Sequence, residues 1–313
     1  MVPVTAAEAP RTRPRLWARL AAVREETALP LLFLSPTILL LGVFVYWPLL
    51  YTVYLSFVDW NFVADSKDFV GFENYSGILG STLFNDAARN TLLYVVGSIP
   101  LKVLLPIPIA IGIWGLSQRM GDIYKTIIFL PTLISFVVVA IAFSWLLNPF
   151  MGIIGEMLRL VGLRMPAVFS DADLALWGIL GISTWKIIGF NTLLYLAGLA
   201  TINRDYVEAM RVDGASDGSI FRHLIWPMLT PTTFFVAIAT VIFSLQQVFT
   251  PIDVLTQGGP SNSTTNLFYM VYQYAFVTFN VGFGSAGTVM LFALMIIVTL
   301  LKVKAFERWV HYQ

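Results

Sequence analysis

LPLLFLSPTILLLGVFVYWPLLYTVYLSF, residues 29–57, contains no charged side chain and sits in a run of 32 uncharged residues between Glu26 and Asp59. An apolar helix needs about 20 residues to cross roughly 30 Å of hydrocarbon, so this run reads as a membrane span. Uncharged runs of 30 residues between Lys125 and Glu156, and of 29 between His223 and Asp253, read the same way. Of the 48 uncharged residues between Asp253 and Lys302, the first dozen, LTQGGPSNSTTN (255–266), are too polar and turn-rich to span. One helix, at about 282–304, follows them. Stretches 91–114 and 174–200 also qualify, each interrupted by one lysine, Lys102 and Lys186. The expected fold is an all-α integral membrane protein with six transmembrane helices.

Composition agrees. The 313 residues are 58% hydrophobic and 12% charged, with a mean hydropathy of +0.78, whereas soluble domains are about 25% charged. Cysteine is absent, which excludes disulfides, thiolate metal sites and thiol nucleophiles. A net charge of +1 speaks against a nucleic-acid partner. With the N-terminus inside, the inner segments hold 13 of the 19 Lys and Arg, and the outer loops hold only Lys67, Arg89, Arg159 and Arg164. That bias places both termini in the cytoplasm. The chain divides into a basic tail at 1–28, a six-helix domain at 29–306 and a short tail at 307–313. The N-terminal apolar run is twice the length of a signal peptide's and has no cleavage site. Prolines within the spans, above all between Pro100 and Pro108, predict kinks.

All 18 Asp and Glu lie outside these spans, and His223 and His311 sit at the cytoplasmic edge. No metal or acid–base site can be assembled within the membrane, which argues against an enzyme. The same census disfavours an ion-coupled secondary carrier, which places an acid in a span to carry the ion. A structural membrane subunit without a transport path is disfavoured by the two lysines near the midplane. An isolated charge there costs at least ~2.5–3.5 kcal/mol. Lys102 and Lys186 must each meet water in a cavity, a backbone carbonyl, a partner subunit or an anionic substrate.

Between the fourth and fifth spans runs INRDYVEAMRVDGASDGSIFRHLIWP (202–227), too polar and too long for a simple turn. Arg204–Val212 predicts a short helix with Arg204, Glu208 and Arg211 spaced to pair on one face. Gly214 suits the break after it, and Asp217–Ile225 predicts a second short helix before Pro227. The result is a polar knob tied to two spanning helices.

Glu208-Ala209-Met210, Asp213-Gly214-Ala215, Phe221 and Pro227 resemble the EAA loop of bacterial ABC importer permeases. Met210, Leu224 and Trp226 depart from that pattern conservatively. LTQGGPSNSTTNLFYMVYQYAF (255–276) is similar to the outer loop of the carbohydrate-importer permeases of the maltose-permease-like group, which includes glycerol-3-phosphate and sugar permease subunits. The resemblance extends from about residue 30 onward and implies a type I importer permease fold. It further implies a heterodimer with a second permease subunit, two cytoplasmic ATPase subunits and an extracytoplasmic solute-binding protein, all in a bacterial cell membrane. In such permeases the loop seats in a cleft of the ATPase, so Glu208, Ala209, Asp213, Gly214 and Ala215 match the coupling residues. No phosphate-binding GxxxxGK[ST] loop occurs in the chain; ATP and Mg belong to the ATPase partners.

The resemblance also marks substrate positions. STWKIIGF (183–190) matches the stretch carrying substrate contacts in the sugar importers, at Ser183, Lys186, Ile187 and Phe190. IFSLQQVF (242–249) adds Ser244, Gln246 and Gln247. Trp145, Asn148, Asn191 and Tyr195 are weaker candidates. A lysine at 186 suits a phosphate or phosphodiester better than a neutral sugar, so the implied cargo is a sugar, polyol or glycerophosphoryl compound.

Overall fold

A computed structural model describes residue 30 and residues 32–309, the last nine as backbone only. The expected tail at 1–28 and the last four residues of the tail expected at 307–313 lie outside these residues. The chain divides between Tyr54 and Leu55 into two units. The first supplies α1 (Leu32–Leu55), an apolar helix exposed along most of its length.

The second unit begins with a two-stranded antiparallel ribbon, β1 (Val58–Asp59) and β2 (Asp68–Phe69). Then follow α2 (Glu73–Leu79), α3 (Thr82–Trp114), α4 (Gln118–Leu133), α5 (Phe136–Leu146), α6 (Ile153–Leu160) and α7 (Ala175–Ala200). The polar segment after α7 holds α8 (Arg204–Val212), and α9 (Asp217–Leu255), α10 (Leu267–Val277) and α11 (Val281–Trp309) follow. Among the described residues five helices are long and apolar enough to span a membrane, and six when α4 and α5 count together as one broken span.

That break corrects the continuous third span expected from the uncharged run. α4 and α5 meet at 96°. Pro131 lies in the last turn of α4, and Ser135 starts α5 afresh by accepting a hydrogen bond from Val137 N through its side chain. Hydropathy is blind to such a break because both halves are equally apolar. The second span also starts earlier than expected, at Thr82, because Ser81 caps its first turn through Phe84 N.

Prolines act through widened turns. A proline inside a helix lacks a donor and collides with the carbonyl four residues back. Here the residue just before Pro48, Pro106 and Pro227 donates to the carbonyl five residues back: Trp47 N to Gly42 O, Leu105 N to Pro100 O, Trp226 N to Phe221 O. Each π turn makes room for its proline and keeps the helix running. The second helix of the coupling segment therefore does not stop before Pro227, as expected; it is the first part of α9.

α7 is the central helix of the second unit, packed by α3, α4 and α9. Its closest crossing is at Gly189, where a β-carbon would collide with the Ile128 carbonyl oxygen and stand 2.6 Å from the Ile128 carbonyl carbon. Small residues permit such backbone approach in membranes. On the other side α11 packs α10 through Gly284 and Gly287, whose β-carbons would meet Ala275 and Val271.

Candidate functional site

The polar segment between α7 and the span at α9 is a built element rather than a loop. Asn203 caps α8 by accepting from Asp205 N, and Val207 and Met210 turn inward onto a core that includes Leu199, Ile202, Ile220 and Ile225. The helix ends in a Schellman turn: Gly214, at φ +82°, donates to Arg211 O, and Ala215 N donates to Met210 O. Ser216 then caps the start of α9 through Ser219 N.

The arginines do not pair with Glu208, contrary to their spacing. Arg204 reaches across to the end of α3, donating to Trp114 O at 2.9 Å with its guanidinium 5.4 Å from the Trp114 ring. A helix C-terminus presents unpaired carbonyls and a negative dipole end, which attracts a guanidinium more than a solvated carboxylate does. Arg211 bridges to Asp217 at 3.3 Å, tying α8 to α9. Among the described residues no ion pair engages Glu208. Glu208, Ala209, Asp213 and Gly214 are exposed, while Ala215 is half-buried against the core. Between α8 and the end of α3 lies a cavity of about 430 Å³, with Glu208, Arg204 and Arg211 on its rim. Sequence reasoning passed over Tyr206 and Val212, which are 60% and 87% exposed on this knob; apolar side chains amid charges were the available signal.

Within the membrane, Lys186 has found a backbone carbonyl. Its Nζ donates to Thr132 O at 2.9 Å, Thr132 Oγ1 donates to Lys186 O at 2.9 Å, and Nζ lies 4.6 Å from the Phe136 ring. Thr132 is in the last turn of α4, whose carbonyls lose their helical donors at the break. The ammonium thus caps the broken span. Lys102 is fully buried, with its Nζ 3.4 Å from Gln247 Oε1, and its own carbonyl accepts from Asn191 Nδ2 at 2.6 Å. The structure therefore brings Lys102, Asn191 and Gln247 of α3, α7 and α9 together.

The other expected substrate residues divide by exposure. Phe190 and Gln246 are exposed, and Ile187 and Gln247 are half-buried. Ser183 and Ser244 are buried and bond to carbonyls of their own helices, Leu180 and Val241. Of the weaker candidates, Tyr195 is in the core, Asn148 accepts from Phe150 N and Met151 N, and Trp145 is exposed.

A further row was readable but unread. Asn90, Tyr94, Ser98 and Lys102 recur every four residues along α3, and all are buried. Polar groups at helical spacing in an apolar span were the signal. The first half of this row clamps the loop before α10: Asn90 donates to Asn262 O and Thr265 O, and Tyr94 donates to Thr264 O. Gly258, at φ +87°, lets the loop turn back with no side chain to strike Thr265. The motif 255–266 is thus a folded cap on α3 and α9, with Asn266 donating to Leu245 O.

The family model for binding-protein-dependent transport system inner membrane components matches residues 103–312. A probable ABC transporter permease of Pyrococcus horikoshii is 32% identical over 272 residues, covering 86% of this chain and 92% of its own. The sn-glycerol-3-phosphate transport system permease protein UgpA of Rhizobium meliloti is 31% identical over 287 residues, covering 91% and 96%. Among solved structures, a bacterial ABC transporter involved in import of the acidic polysaccharide alginate has a chain with a TM-score of 0.81 at 23% identity, covering 94% of this chain and 100% of its own.

Proposed function

Since the chain belongs to the family of binding-protein-dependent transport system inner membrane components, we propose that it is the permease subunit through which an ATP-driven importer moves a sugar, polyol or glycerophosphoryl compound. It is a multi-pass inner-membrane transport subunit, not an enzyme. The proposed assembly pairs it with a second permease, two ATPase subunits that bind ATP and Mg, and a solute-binding protein outside, with both termini cytoplasmic.

The observation that carries the reading is the state of Glu208. It is an exposed acid without an ion pair among the described residues, on a helix pinned to α3 by Arg204 and to α9 by Arg211. Such a knob transmits force to two spans and leaves its carboxylate available for a basic cleft in an ATPase. Glu208, Ala209, Asp213 and Gly214 form the proposed contact, and Ala215 anchors it.

Relatives named for sn-glycerol-3-phosphate support a small polyhydroxylated cargo. Its proposed path runs along Ile187, Phe190, Gln246 and Gln247, with Ser183, Lys186 and Ser244 behind. The test is reconstitution with the partner subunits: Glu208→Lys should abolish uptake and binding-protein-stimulated ATP hydrolysis while insertion persists. Normal uptake in that variant rejects the coupling assignment.

A further inference from the structure

At the outer ends of α3 and α7, beneath the folded loop, lies a cavity of about 290 Å³. It is separate from the positions on α7 and α9 discussed above. Asp86 and Arg89 of α3, Asp173 just before α7, Trp177 of α7, and Asn262 and Ser263 of the loop line it.

Three features set it apart from an ordinary wet surface. First, among the described residues no ion pair holds Asp86, Arg89 or Asp173, although the first two are one helical turn apart. Second, Ser263 Oγ is buried and has no hydrogen-bond partner. Third, the Trp177 ring is half exposed, yet its edge lies against the α3 backbone: a β-carbon on Gly97 would come within 3.1 Å of Trp177 Cζ3. The floor is equally settled, because Asn90 holds the loop through Asn262 O and Thr265 O.

The chemistry of the lining selects a ligand class. Two carboxylates against one guanidinium disfavour a phosphate or other anion. A metal ion is disfavoured in turn, since the described residues contain no group of three carboxylate, imidazole or thiol ligands and Arg89 would repel it. What remains is a neutral ligand rich in hydroxyls, which donates to the carboxylates and accepts from guanidinium and amide. The indole face would meet the apolar face of a sugar ring. The volume is at the small end of small-molecule pockets, roughly 300–1,000 Å³, and fits one hexose-sized unit.

We propose that this cavity is an outer-mouth binding site for one unit of a neutral saccharide or polyol, holding cargo before it enters the membrane. It rests on the importer reading, which makes this end the entrance. The assembled transporter in nanodiscs, without solute-binding protein, is titrated with maltose, sucrose, glycerol and sn-glycerol-3-phosphate and read by saturation-transfer NMR. At least one neutral probe should give a saturable signal and the phosphate none. Asp173→Asn and Trp177→Ala, each checked for unchanged thermal unfolding, should weaken that signal by about tenfold, as expected for losing a hydrogen bond to a charged group or a stacking face. No saturable signal from any neutral probe, or an equal signal in both variants, overturns the site. Uptake by the same subunits in proteoliposomes, with solute-binding protein on the outer side and ATP at the ATPase subunits, separates the two ideas: uptake without an outer-site signal rejects only the site, and absent uptake of every probe rejects the importer reading for these cargoes.

Discussion

Gly189→Ala tests whether the α4–α7 crossing governs the broken span. The new β-carbon would lie 2.6 Å from the Ile128 carbonyl carbon and 3.0 Å from Phe129 Cα, both backbone atoms that cannot rotate away. Restoring ordinary carbon–carbon separation, about 3.5–4.0 Å, requires the helices to part by about 1 Å. The Lys186–Thr132 pair spans the same crossing with two hydrogen bonds of 2.9 Å, and that displacement takes both beyond hydrogen-bonding range. Overpacking costs ~1–3 kcal/mol; a charged hydrogen bond contributes ~1.5–3 and a neutral one ~0.5–1.5 kcal/mol. A net loss of about 3–7 kcal/mol is expected. Gly181 is the control, because it lies on the same helix with nothing within 4 Å of its β-carbon, and Gly181→Ala should gain up to about 1 kcal/mol from helix propensity. Unfolding of both variants in reconstituted membranes decides the matter. Equal stabilities would refute close approach at Gly189 as the origin of the fixed crossing.

Three further outcomes follow from the same contacts. Gly214 has open space around its β-carbon, so Gly214→Phe should cost only the ~1–2 kcal/mol of a left-handed backbone while reducing coupled ATP hydrolysis; unaltered hydrolysis and uptake would remove the turn from the ATPase contact. Lys186→Met should insert normally, because it deletes a midplane charge as well as a cap, yet lower uptake of neutral and phosphorylated cargo alike by about tenfold through the loosened bend. A loss confined to phosphorylated cargo would show that the ammonium leaves Thr132 to meet the phosphate. A single cysteine at position 218 of this Cys-free chain should resist an impermeant thiol reagent in intact cells, and labelling from outside would reverse the assigned topology.

What could be read in the sequence was what local chemistry determines. The bounds of α8 and the turn at Gly214 follow from a capping Asn203, an apolar inward face and a residue tolerant of left-handed angles, all within a dozen positions. The spans followed from uncharged runs, because hydrocarbon imposes a minimum length. The destination of each arginine in the coupling segment did not follow. Arg204 finds Trp114 O, ninety residues away, and such a partner has no signature in spacing. The bend at Leu133–Phe136 was hidden for a related reason: Pro131 is compatible with a kink, a widened turn or a full break, and Pro48, Pro106 and Pro227 took the widened turn.

The two membrane lysines show how this limit bears on function. A charge at mid-membrane demanded a partner, and among the open possibilities a phosphate in a cavity and a backbone carbonyl satisfy the same ammonium. The break in the third span decided between them in this conformation, since Thr132 O lacks a helical donor there and Lys186 supplies one. The lysine and the break are therefore one device: the ammonium stabilises the free carbonyl, and the carbonyl permits a cation far from any acid. Lys102 has no such break beside it. It has one 3.4 Å contact to Gln247, in a π turn whose carbonyl is held by Asn191. Gln247 thereby accepts through its oxygen, and among the described residues no hydrogen bond engages its amide nitrogen. On the proposed cargo path, a rotation of α9 that carried Gln247 toward cargo would strip Lys102 of that contact.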